Sequence, residues 1–225
     1  MILDAEYPID PRVLNESLSL IDSGNSVYLF CLSFKKNFIE NEIIDGININ
    51  RFYCSWFTYK MSALAYTLPF YKWIMSRKIK KFIKINKIKF LHIHDIQIAS
   101  SVFSANSFFK LNTVLDLHEN RPEIMKFYKH VNSFIGKLLI FPSLWKKAEE
   151  KYVKMANGVV VVTELAKSEL KERVKIDSKK IIVFPNSVTK NFYLNCNIRN
   201  DILSRYACSF VMLYIGNTSK RRGLD

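Results

Sequence analysis

Short β-branched and aliphatic runs alternate with longer stretches of helical periodicity along most of this chain, and that alternation limits its fold more than any other feature. Residues 27–32, 46–53, 90–94, 113–117, 159–162 and 181–184 have the length and composition of strands, and 1–3 reads as the stub of another. Helical patterns cover 13–21, 62–85, 96–109, 122–134, 142–156 and 163–174. Strands separated by helices pair in parallel through crossovers, and apolar runs without alternation are buried on both faces. The expected class is α/β, a parallel sheet with helices on both faces in three αβα layers.

Local signals fix several boundaries. Asp10 precedes Pro11, so a carboxylate can cap the free amides while proline loses no hydrogen bond at the first helical position. Val13, Leu14, Leu18 and Ile21 repeat at helical spacing until Gly24 supplies a stop. Thr163 is placed to cap the last helix. The alternation fills residues 1–190 of the 225, a Rossmann-like domain. Polar, Asn-rich sequence without periodicity makes 191–209 a linker. Residues 210–225 then read as the first strand and basic turn of an incomplete second domain.

Charge is unevenly placed. The chain carries 34 Lys+Arg against 20 Asp+Glu, a net +14. Residues 46–94 contain no acidic side chain and ten basic ones. The densest part, 71–89, sets Lys72, Arg77, Lys78, Lys80, Lys81 and Lys84 among apolar residues including Trp73. That is the pattern of a surface helix facing anionic lipid, or of a solvated helix face. No nucleic-acid motif accompanies it, so nucleic acid is not expected as a partner. No apolar run reaches the ~18–20 residues of a membrane span. Cys31, Cys54, Cys196 and Cys208 show neither C-x-x-C spacing nor a disulfide framework, and they read as reduced thiols of a cytoplasmic protein.

Open parallel sheets bind ligands beyond the C-terminal ends of their strands. Those ends hold Asp10 and Arg12 after the first strand, His92, His94 and Asp95 after the strand at 90–94, and Asp116, His118 and Glu119 after the next. His92 and His94 share one face of their strand. With His118 and Asp116 they suggest two chemistries: a metal centre of hydrolytic type, or polar groups that hydrogen-bond a substrate and exchange protons with it. Polar caps without chemistry are the third reading. Dinucleotide, P-loop and nucleophile-elbow motifs do not occur in the sequence.

Seven segments, in order, carry a resemblance. They are Tyr7-Pro8-Ile9-Asp10-Pro11-Arg12-Val13 with Glu16, Leu20, Gly24 and Val27; His92-x-His94-Asp95; Asp116-x-His118-Glu119; the stretch 148–162; Val183-Phe184-Pro185-Asn186-Ser187-Val188; Tyr214-x-Gly216; and Arg222-Gly223-Leu224. Together they resemble family-4-type glycosyltransferases of the GT-B fold, across essentially the whole chain. The resemblance implies a retaining transfer of a sugar from a nucleotide-diphosphate donor to a glycan or lipid-linked acceptor, in surface polysaccharide or glycolipid synthesis. His118 matches the family histidine beside the reacting sugar. Asp10 and Arg12 match a loop facing the acceptor, with His94, Asp95 and Glu119 nearby. Gly216, Lys220, Arg221 and Arg222 match the groups that meet the departing diphosphate, where cations stabilise developing charge. No metal or other cofactor is implied.

Three departures stand out. Asn217 replaces a basic residue of the family pattern, and Ser187 replaces its glycine. The paired glutamates that hold the donor are absent. The expectation is therefore a fragment inactive alone, peripheral on the inner face of the cytoplasmic membrane and completed by a separate C-terminal half. The alternatives are a non-catalytic binding or scaffold domain and, less favoured, a metal-dependent hydrolase using His92, His94 and His118.

Overall fold

The computed structural model describes residues 1–8 and 10–187, together with 194, 201, 204–207, 209–212 and 215. It divides into two units, Met1–Asn186 and Ser187–Asp225. In the second unit, Asp201 and Ser204 are helical and the Ser209 amide donates to the Tyr206 carbonyl at 2.9 Å. Most of the expected linker and second-domain start lies outside the described residues.

The first unit is built on one eight-stranded sheet: β1 (Ile2–Leu3), β2 (Tyr28–Ser33), β3 (Asn41–Ile44), β4 (Ile47–Tyr53), β5 (Phe90–His94), β6 (Asn112–Leu117), β7 (Gly158–Val161) and β8 (Ile181–Val183). The strand order is β3-β4-β2-β1-β5-β6-β7-β8. All neighbours pair in parallel except β3 with β4. Strand order reverses about β1, which lies between β2 and β5. The crevice beyond the C-terminal ends of β1 and β5 is thus the switch point where such sheets bind ligands.

Alternation sorts each strand between two cores. Ile2, Phe30, Leu32, Leu91, Ile93 and Leu115 pack on one face against Tyr71, Met75, Ile79, Ile98, Val102 and Trp145 from the helices Phe70–Ile85, Ile96–Phe109 and Pro142–Met155. Leu3, Leu29, Cys31, Ile47 and Ile49 pack on the other face with Val13, from the helix Pro11–Asp22. The expected Rossmann-like, three-layer α/β class is the observed one.

The sequence expectations for helix Pro11–Asp22 hold at its ends. The Asp10 carboxylate accepts from the amides of Arg12 and Val13, at 2.9 and 3.4 Å. Gly24, at φ +82°, closes the last turn, its amide on the Ile21 carbonyl. The buried face differs from the one expected. It presents Arg12, Val13, Glu16 and Ser17 inward, while Leu14 and Leu18 are only half-buried.

Three other expectations change. Residues 41–44 form the antiparallel edge strand β3, joined to β4 by Asp45-Gly46, both at positive φ (51° and 79°). This is the hairpin chemistry of an Asp-Gly pair. The helical stretch expected over 62–85 is a 3₁₀ turn, Met61–Leu64, and then a separate helix from Phe70, because Pro69 removes an amide donor. The helix expected over 122–134 is a series of short turns ending in the helix Phe134–Leu139, which starts afresh where the Ser133 hydroxyl accepts the Gly136 amide.

Candidate functional site

On the face covered by helix Pro11–Asp22, β5 and β6 present His92, His94 and Asp116 where a core would ordinarily hold aliphatic side chains. Strand register sets His94 beside both Leu3 and Asp116. The helix answers with Arg12 and Glu16. Arg12 makes a bidentate pair with Asp116, Nε to Oδ2 at 3.0 Å and Nη2 to Oδ1 at 2.9 Å. Its Nη1 donates to the Phe184 carbonyl at 2.8 Å and to Asn186 Oδ1 at 3.1 Å. Glu16 Oε1 lies 3.0 Å from Arg12 Nε. Asp116 is fully buried and Arg12 is 8% exposed. One guanidinium thereby ties the first helix, β6 and the segment after β8 together.

His118 follows β6 and sits at the edge of this cluster. Its Nε2 lies 3.2 Å from Asp116 Oδ2 and 3.1 Å from His94 Nδ1. Its Nδ1 lies 3.8 Å from Asp10 Oδ2. Burial works against a charged imidazole, but the hydrogen bond to Asp116 and the charges of Asp116, Asp95 and Asp10 outweigh it and raise the His118 pKa. Burial lowers the pKa of His92 and His94, so both stay neutral. Asp116 is also opposed by burial, yet hydrogen bonds from His118, His94 and Arg12 drive its pKa far below the carboxylate range. Burial, then the negative charge of Asp116, pushes Glu16 well upward. One face therefore holds an anion, a cation, two neutral imidazoles and one imidazole poised to carry a proton.

Glu16, His92, His94 and Asp116 place ligand atoms within 4.8 Å of one another, the arrangement a divalent metal would use. The fit is poor for a reason visible in the cluster. Arg12 already stands against both Asp116 oxygens and Glu16 Oε1, so a guanidinium balances the carboxylate charge a metal would draw on, although Glu16 Oε2 and His92 Nε2, 3.5 Å apart, have no hydrogen-bond partner. Glu16 carried no role in the sequence reading, although its i+4 spacing from Arg12 puts both on one helix face.

Across the switch point, Asp95 holds a backbone conformation rare for any residue but glycine, φ 73° and ψ 154°. Three contacts impose it. The Asp95 carboxylate accepts from the Ile96 amide at 2.7 Å and pairs with Arg121, and its own amide donates to the Asp116 carbonyl at 2.8 Å. Arg121, whose Nε lies 3.5 Å from Glu119 Oε1, lines a cavity of about 660 Å³. That cavity also takes in Gln97, Tyr128, Trp56, Tyr59, Met125, Ile140 and Trp145. Beside it Asp4 is buried, accepting from Tyr71 Oη and, at 2.7 Å, from Gln97 Nε2. Burial raises its pKa to about 7.

The candidate residues are thus placed unequally. Asp10, Arg12, His94 and His118 form one connected group, and Asp95 and Glu119 converge on Arg121. Arg12 and His94 are buried, so they hold the site together from below, whereas Asp10 and His118 reach the open rim. Arg121 closes the rim segment 116–121 but was given no role from the sequence, and the cavity was not foreseen in it. The nearest sequence signal was Arg121-Pro122 directly after the Asp116–Glu119 rim. Gly216, Lys220, Arg221 and Arg222 lie outside the described residues. Arg77, Lys80, Lys81 and Lys84 are exposed on helix Phe70–Ile85 with Trp73, whose ring Arg77 covers at 3.4 Å, while Lys72 and Lys78 are half-buried. Among the described residues no helix is long and apolar enough to cross a membrane.

A parallel sheet with charged side chains gathered at its switch point defines a Rossmann-like ligand-binding domain. Residues 12–192 match glycosyltransferase family 4, and the chain belongs to that family. A solved structure described as trehalose-6-phosphate from E. coli bound with UDP-2-fluoro glucose shares the fold, with a TM-score of 0.59 at 10% identity. The match covers 92% of this chain and 53% of that one, so the chain spans about half the length of the structure it resembles. No curated protein matches the sequence.

Proposed function

We propose that this chain is the acceptor-side half of a retaining glycosyltransferase that moves a sugar from a nucleotide diphosphate to a glycan or lipid-linked acceptor, in surface polysaccharide or glycolipid synthesis. The observation that carries the proposal is His118, held by Asp116 at the end of β6 with its second nitrogen turned to the rim beside Asp10. A histidine fixed in this way can hydrogen-bond the sugar being transferred, and its raised pKa keeps a donor available as oxygen charge develops.

The acceptor is taken to approach from the Arg121 cavity, whose polar end, Arg121 and Gln97, lies next to the strained Asp95. The donor diphosphate is assigned to Gly216, Lys220, Arg221 and Arg222 together with a second, C-terminal half. No resident metal is proposed, because Arg12 supplies the cation that Asp116 and Glu16 would otherwise offer a metal. The exposed basic side chains of helix Phe70–Ile85 support peripheral attachment to an anionic membrane, on its cytoplasmic face.

The test is transfer from labelled nucleotide sugars to extracted lipid-linked and soluble glycans, by this chain combined with a donor-binding half. We expect transfer that survives a chelator and falls about 10²–10³-fold in His118→Ala, the scale of losing one well-aimed donor. Chelator-sensitive ester hydrolysis without transfer would instead establish the metal-dependent reading.

A further inference from the structure

The cavity opens beside a crest of apolar side chains that the protein leaves in water. Helix Phe134–Leu139 exposes Phe134 (88%), Ile135 (67%) and Leu138 (65%) on one side, and Ile135 lines the cavity itself. Across the mouth, Trp56 also lines the cavity, and its neighbour Phe57 is 75% exposed. Contiguous exposed apolar side chains of this kind mark an interaction site.

The crest is held out by close packing. A Cβ added at Gly136 would overlap the carbonyl oxygens of His130 and Val131, so only glycine lets this helix seat on the preceding turn with its apolar side outward. The surrounding charge specifies the partner. Residues 123–148 contain five lysines, Lys126, Lys129, Lys137, Lys146 and Lys147, against one acidic side chain, Glu123, which pairs with Lys126 and Lys146. Apolar tips beside this excess of positive charge match an anionic bilayer, where the tips enter the headgroup boundary and the lysines meet the phosphates.

We infer that helix Phe134–Leu139 is a membrane-insertion element that seats the cavity mouth on an anionic lipid surface. It is distinct from the basic face of helix Phe70–Ile85, and the inference stands independently of the transfer reaction. The bilayer then covers Phe134, Ile135 and Leu138, and the cavity opens toward lipid rather than bulk water.

The experiment uses the full chain carrying Trp73→Phe, which leaves Trp56 as the exposed tryptophan while Trp145 stays buried. Vesicles of phosphatidylcholine and phosphatidylglycerol with brominated acyl chains should quench and blue-shift Trp56. Adding Phe134→Ser, Ile135→Ser and Leu138→Ser should weaken vesicle affinity about tenfold or more and abolish the quenching. These side chains are exposed, so circular dichroism should show an unchanged fold. Reversing Lys80, Lys81 and Lys84 to Glu should leave Trp56 quenching in place at saturating lipid. Unchanged affinity and quenching in the triple-serine variant would overturn the proposal. So would vesicle binding lost only on reversal of the three lysines. Indifference to vesicles, with self-association in sedimentation that the serine variant abolishes, would show a second copy to be the occupant.

Discussion

Beneath helix Pro11–Asp22 the sheet buries charge. On its opposite face, short helices leave aromatic and aliphatic side chains exposed. On the first side, Arg12, Glu16, His94 and Asp116 stand on regular elements and His118 directly follows one, and each is fixed by at least one other. On the second, turns between residues 121 and 141 form much of the wall of an open cavity that Arg121 and Gln97 also line. The contrast is one between positioning and accommodation. Reacting groups need orientation, which buried ion pairs on strands and a helix supply. A surface that takes an amphiphilic partner needs area, which short helices provide without a deep core of their own.

If charge organises the first side, removing its cation should have the largest effect. Arg12→Ala leaves the buried Asp116 with only the His118 and His94 imidazoles as partners, and should destabilise the domain by about 3–5 kcal/mol in urea unfolding. The matching change on the second side, Ile135→Ser, should stay within about 0.5 kcal/mol, since that side chain is already in water. Similar losses at both positions would erase the distinction.

A smaller effect is expected at Gly136. Gly136→Val forces a side chain into the backbone of His130 and should cost about 1–3 kcal/mol, with limited proteolysis showing the opening near residues 129–141. A neutral result would mean that the crest is not held by this contact.

Between the two regions, Asp4 should confer a pH dependence on stability. Its folded pKa, about 7, lies above the ordinary carboxylate value of 3.8, so the folded state holds a proton that the unfolded state has released. That contribution is complete below pH 3.8 and is lost as pH rises toward 7. Asp4→Asn should remove this part of the decline in stability. A pH profile identical to the unsubstituted protein would assign the slope to other groups.

The first region was largely legible in the sequence because its residues sit where secondary structure dictates. Alternation along β5 put His92 and His94 on one face, and the ends of β5 and β6 put Asp95, Asp116 and His118 on one rim. Glu16, though part of the family pattern, was given no role because the apolar repeat of Val13, Leu14, Leu18 and Ile21 pointed to a purely hydrophobic inner face. Only the tertiary pairing with Asp116 and Arg12 draws the polar side inward. The hairpin at β3 carried a readable Asp45-Gly46 signal that its weakly apolar strand obscured. The cavity was not legible. Its walls come from turns of four to six residues, such as Arg121–Ile124, Lys129–Asn132 and Phe134–Leu139, too short for periodicity to separate core from surface. In sequence, Phe134 and Ile135 look like any buried pair.

The central claim is that Asp116 raises the pKa of His118 and aims its ring at the rim, while burial lowers the pKa of its two companion histidines. The most direct measurement is an NMR titration of the imidazole nitrogens in the intact chain. We expect His118 to titrate above pH 6.5, His94 below it and His92 well below it, and the upward displacement of His118 to vanish in Asp116→Asn. Titration of all three near pH 6.5, or an unchanged His118 in that variant, would contradict the account.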